Sequence, residues 1–219
     1  MLFKAEHSFC ELIENMTTLS FLEHVAKRYH YLQEDLPELL IVAEKMQECV
    51  FREASFEIGE LQVAQEGDRS RQAVVMTLGG GVDRLQDAYA EKEKLTESFM
   101  IEALGNELLL CAYGVWNRWI EAGTEYHVAS YLFPGSGKDY PLEELPGLLT
   151  SVSDVVVCNE SFLMIPKKSV AFYALLTKEP GVRCEGICQN CDRKDCRNRA
   201  REERLLPYGY ARILGREFR

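Results

Sequence analysis

This 219-residue chain is short of several things, and each shortage removes a class of function. Its longest stretch free of charged, amide, Ser and Thr side chains is Leu108 to Trp116, nine residues. A helix that crosses a bilayer needs about 20, so no membrane span is predicted. The opening MLFKAE carries Lys4 and Glu6 and has no apolar h-region, so no secretory leader is expected and the expected compartment is the cytoplasm. The four histidines, at 7, 24, 30 and 127, show no ligand spacing, and no GxSxG elbow occurs, so neither a histidine metal site nor a serine nucleophile is predicted. PGSGKD at 134–139 imitates a phosphate loop. Asp139 follows Lys138 where magnesium needs Ser or Thr, and the earlier glycine is missing. GGGVD at 79–83 sits between a strand and a helix, where backbone amides can receive an anion, but it lacks the GxGxxG spacing. A plain tight turn is the simpler reading. There is no internal repeat and no low-complexity segment.

What is present suits an ordinary globular chain, long enough to bury a core without staples. The net charge of −10 is unevenly spread. Residues 181–219 carry ten Lys or Arg against six Asp or Glu, leaving 15 against 29 elsewhere, so the last segment is +4 and the body −14. An acidic body repels a phosphate backbone, and no nucleic-acid partner is expected. The basic segment suits an acidic protein partner or the chain's own body.

Residue patterning predicts helix, helix, strand in the first third. Ser20 and Glu23 fit a capping box before Phe21, Leu22 and Val25, and Asp35 with Pro37 marks a second helix start. Phe56, Ile58, Leu61 and Val63 suggest a strand interrupted near Gly59. AVVMTLGGG at 73–81 reads as strand and glycine turn, followed by a helix start at Val82. Phe99, Ala103, Leu104, Leu108, Cys111, Ala112, Val115 and Trp119 recur at three and four, which predicts a central core helix over about 95–121. An extended piece near 127–133, a PGSG turn, a short helix near 142–150 and strands near 153–157 and 169–176 complete an α+β pattern without a regular βαβ rhythm.

Cysteine spacing is the strongest chemical signal. Cys184, Cys188, Cys191 and Cys196 form C-x3-C-x2-C-x4-C, whereas Cys10, Cys49, Cys111 and Cys158 are scattered in apolar surroundings and are expected to be buried small hydrophobes. Four thiolates on one short segment can complete a tetrahedral zinc site or hold an iron-sulfur cluster, with Arg183, Arg193, Lys194 and Arg197 offsetting their charge. Reduced or partly oxidised thiols are the alternative. Spacing alone does not choose between zinc and iron.

Four stretches in order resemble the reactivation (activation) domain of cobalamin-dependent methionine synthase in a short, free-standing form. They are VVMTLGGGVDRLQDAYAEKEKLTESFMIEALGNEL at 74–108, then Glu125, then FPGSGKDYPLEEL at 133–145, and NESFLMIPKKSV at 159–170. The resemblance covers residues 72–176, about half of the chain. It implies helices around a twisted, mainly antiparallel sheet, with residues 1–70 as an N-terminal part of the same domain and 71–180 as the core; the cysteine-rich basic tail at 181–219 is an addition that the family's domain lacks. It also implies S-adenosylmethionine in a shallow groove, presented to a corrinoid that a partner methyltransferase or corrinoid protein holds. An electron donor reduces Co(II) by one electron, and methylation traps the product. Carried over residue by residue, Glu125 would hold the ligand's amino group, the Pro134–Gly135 turn would let the backbone approach it, and Glu160 would line the groove. Tyr131 stands where the family has an arginine that pairs with the ligand carboxylate, and Ser136 where a tyrosine usually follows the glycine. A neutral phenol does not reproduce a bidentate guanidinium.

Overall fold

The computed structural model describes residues 3–63, 69–136 and 140–179, together with 181, 182, 184 and 187. Three helices come first, α1 (Phe3–Glu14), α2 (Leu19–Tyr29) and α3 (Leu36–Glu53), so the first third holds one helix more than its patterning predicts. The overlooked α1 buries Phe9, Leu12 and Ile13 at three- and four-residue spacing. The predicted capping box does not form. Thr18 takes the N-cap position of α2 and its hydroxyl donates backwards to Asn15 O at 2.7 Å, which leaves Ser20 inside the helix. Pro37 does occupy the first turn of α3, but Asp35 turns its carboxylate away to accept from Leu32 N at 2.7 Å.

After α3 come β1 (Ser55–Val63) and β2 (Arg69–Thr77), then α4 (Gly80–Glu91) and the long α5 (Leu95–Gly123). The pairing of β1 with β2 shifts register between Ile58 and Leu61, which is the interruption expected at Gly59. Apolar residues recur so densely along α5 that both its flanks are buried, with Trp116, Ile101, Leu104 and Leu108 fully inside. Burial of each such side chain contributes roughly 1.5–3 kcal/mol. The chain continues through β3 (His127–Leu132), α6 (Leu145–Val152), a small hairpin of β4 (Val157–Cys158) and β5 (Met164–Ile165), and β6 (Ser169–Thr177). Only two residues near 153–157 pair as strand, because Ser153 Oγ accepts from Val155 N at 3.1 Å and Val156 N at 3.0 Å and so bends that segment.

The four long strands form a sheet in the order β1-β2-β6-β3, antiparallel throughout. This is an α+β architecture with a mainly antiparallel sheet. One face, through Val74, Met76, Phe172, Ala174 and Leu176, joins the helices in a single apolar core that extends from Phe9 to Cys184. The alternate residues Val75, Ala171 and Tyr173 point the other way and meet α6, Val156 and the β4–β5 hairpin in a smaller cluster. Among the described residues no helix is long and apolar enough to cross a membrane.

Candidate ligand face and cysteine anchor

The second face of the sheet is closed at one end and open at the other. Val75 and Ala171, beneath α6, are buried, whereas Tyr173, Leu175, Ser130 and Leu132 are half-buried and Arg71 is exposed. Register places these on one face, since Arg71 pairs with Leu175, Leu175 with Ser130, and Tyr173 with Leu132. The Arg71 guanidinium lies over the Tyr173 ring, 5.0 Å from its centroid, and Tyr140 meets the same ring edge-on at 5.4 Å. Tyr140 is tied in turn to the predicted ligand turn, because its carbonyl accepts from Gly135 N at 2.8 Å. Burial, followed by the neighbouring Tyr173, pushes the Tyr140 phenol above its usual range while Arg71 opposes the shift. One continuous strip therefore links Arg71, Tyr173, Tyr140 and the Pro134–Gly135 turn.

Gly135 has φ +83°, a left-handed conformation that strains any side chain, and an added Cβ would lie 3.4 Å from Leu142 Cβ. The turn is further fastened by Ser136, whose hydroxyl donates to Phe133 O at 2.6 Å. The glycine is thus required by the backbone whether or not a ligand approaches it.

Tyr131 faces the opposite side of the sheet. Its ring packs edge-on against Tyr113 at 5.5 Å and Phe172 at 5.2 Å, and its hydroxyl donates to Asn117 Oδ1 on α5. Burial holds the phenol well above its usual pKa, with the Cys184 thiol adding to the shift. Asn117 also donates through Nδ2 to Cys184 O at 3.2 Å, and Cys184 N donates to Val128 O at 2.7 Å. The first cysteine of the cluster is therefore buried and fastened to both α5 and the edge strand β3. Cys188, Cys191 and Cys196 lie outside the described residues. Among the described residues no three His, Cys, Asp or Glu side chains gather as a metal site. Of the scattered thiols Cys111 is buried, Cys49 and Cys158 are half-buried, and Cys10 is exposed on the outer side of α1, which corrects the expectation of burial for that residue.

Glu125 lies in the loop before β3 and pairs with Lys178, just beyond the partner strand β6. Glu160 is exposed in the hairpin turn, where Asn159 Oδ1 accepts from Ser161 N and Leu163 N, each at 3.0 Å. Among the described residues no hydrogen bond or ion pair joins Glu125, Tyr131, Gly135 and Glu160 to one another. Pro134 and Gly135 share a turn, Tyr131 is in the core, and the two glutamates stand on separate loops.

Two polar centres have no clear mark in the sequence. The carboxylate of Glu53, at the end of α3, accepts from Gly81 N at 2.6 Å and pairs with Arg84, so the glycine turn that could receive an anion already receives one from the chain. On α5 the fully buried Glu107 accepts from Arg28 Nε at 2.7 Å and meets His24 Nε2 at 3.0 Å. Arg71 and Tyr173 were likewise indistinguishable from solvated strand residues, since only β2–β6 register brings them together. No family model matches the chain, and no curated protein sequence matches it significantly.

Proposed function

We propose that the chain is an accessory protein for reductive reactivation of a corrinoid-dependent methyltransferase of the methionine synthase type, acting on a corrinoid held by that partner. The observation that carries the reading is the ordered motif set, two members of which lie on the second face of the sheet: the Pro134–Gly135 turn beside its open half and the hairpin around Asn159 to Ile165 packed with α6 at its closed end. Reactivation takes one electron from a low-potential donor, turning Co(II) into Co(I). The methyl group would come from S-adenosylmethionine, with S-adenosylhomocysteine as the other product, and the corrinoid would be held by the partner. The chain's part is positioning, not acid–base chemistry. An open face with an aromatic ring, a guanidinium and a glycine turn suits a flat ligand that carries both charge and backbone-accessible polar groups.

Cys184, Cys188, Cys191 and Cys196 supply either an electron relay to the cobalt, as an iron-sulfur cluster, or a zinc clip that fixes the basic segment to the body. Four soft thiolates fit both, and the double backbone anchorage of Cys184 favours a centre fixed beside β3. Protein purified without oxygen is expected to hold metal in proportion to these cysteines, and a Cys188→Ala, Cys191→Ala double variant to lose it; wild-type protein free of iron and zinc defeats the metal assignment. A second reading is favoured by the inward commitment of Tyr131: a cap that docks on the partner without using S-adenosylmethionine. Adding the chain to a Co(II) corrinoid methyltransferase tests the main reading, and its failure to bind or to change the return to the methylated state counts against it.

A further inference from the structure

We propose that Arg71 is the carboxylate anchor of this face, taking from a different strand the part that position 131 gives up. This rests on the S-adenosylmethionine component of the proposed function and names the residue through which that ligand's amino-acid end is held. Three observations place it. First, Tyr131 is buried on the helix side of the sheet with its hydroxyl spent on Asn117, so nothing at that position reaches a ligand on the second face. Second, the strip from Arg71 through Tyr173 and Tyr140 ends at Gly135 N, so the guanidinium shares a surface with the turn the ligand motif centres on. Third, Arg71 is held in a way that leaves its charge available. Its Nε donates to Gln62 Oε1 at 2.6 Å and its plane lies over Tyr173, while neither terminal nitrogen has a hydrogen-bond partner among the described residues.

That arrangement is the one bidentate recognition requires. A guanidinium already fixed by stacking and by one Nε bond loses little freedom when its two Nη groups accept a carboxylate. Arg71 also sits on a body that carries −14, where an anionic group needs a cation to hold it. The half-buried Leu175 and Leu132 beside it offer an apolar floor to the rest of the ligand.

Calorimetric titration with S-adenosylmethionine and with its decarboxylated counterpart, which differ only in the carboxylate, tests the assignment. Wild-type protein is expected to favour the carboxylated compound by about tenfold or more, as for a charge-assisted bidentate pair. Arg71→Met is expected to bind both alike, and Arg71→Lys to keep part of the preference; unchanged thermal unfolding of each variant shows that the exposed substitution leaves the fold intact. A preference that survives in Arg71→Met overturns the assignment. So does wild-type protein that binds neither compound, although docking on the corrinoid partner, measured separately, is untouched by that result.

Discussion

At the scale of single residues, several tyrosines are polar aromatics packed into or against the core. Burial, then the Glu107 charge, raises the Tyr29 phenol to about 12, and burial also raises Tyr113 and Tyr131 beyond the range in which phenols usually ionise. In the unfolded chain the same groups titrate near 10. Their contribution to stability is therefore complete below pH ~10 and is lost as pH rises through the folded values, because above that point the unfolded state binds fewer protons. Denaturant midpoints measured at increasing alkalinity are expected to fall, with the last part of the tyrosinate absorbance appearing together with unfolding; full tyrosinate absorbance reached well before unfolding would show that these phenols are not enclosed. Tyr131 also shows what a motif reading can and cannot recover. Its departure from arginine is visible in the sequence, and the loss of the guanidinium follows from chemistry alone. Where the ring goes instead depends on the irregularity between Val128 and Ser130 in the β3–β6 pairing, after which Tyr131 and Val128 share the core face. No local pattern announces that irregularity.

At the scale of elements, the long helix, the glycine turn, the strand at 169–177 and the short helix after Pro141 were legible because each follows a single strong period or a turn residue with a physical requirement. The helix α1 was not, since its charged residues Lys4, Glu6, Glu11 and Glu14 dilute an apolar stripe that becomes plain only when packed on α5 and β1. Polar links between elements were hidden for the same reason: they join residues far apart in sequence. Glu107 on α5 receives Arg28 and His24 from α2, and its side chain is fully enclosed. Truncating it leaves the Arg28 guanidinium, 15% exposed, without this carboxylate. Glu107→Ala is expected to cost about 3–5 kcal/mol, the usual penalty for breaking a buried pair from one side, read as a lowered denaturant midpoint. A loss under about 1 kcal/mol would mean that α2 is held by apolar packing alone. The link between Lys168 and Asn106, with Nζ to Oδ1 at 3.0 Å, performs a similar service for the loop that leads into β6. There burial acts most strongly and raises Glu102, but the bond and charge of Lys168, with hydrogen bonds from Gln86 and Asn106, together lower it below the usual carboxylate value.

For the whole molecule, the sheet separates two tasks. Its helix side builds the core and encloses Tyr131, Asn117 and Cys184. Its other side leaves a strip of Arg71, Tyr173 and Leu175 beside a fixed glycine turn. Cys184 is fastened at the Val128 end of β3, while the Pro134–Gly135 turn follows the opposite end, Leu132. A six-residue strand spans only about 20 Å, so Cys184 and the turn stand at opposite ends of one short strand.

The reactivation claim is tested most directly by following the visible spectrum of a corrinoid methyltransferase held as Co(II), with a low-potential one-electron donor and S-adenosylmethionine, with and without this chain. The chain is expected to bind the Co(II) enzyme and to speed its return to the methylated form in proportion to the amount added. A Co(II) spectrum that decays at the same rate with and without the chain, in mixtures where no complex forms, would contradict it.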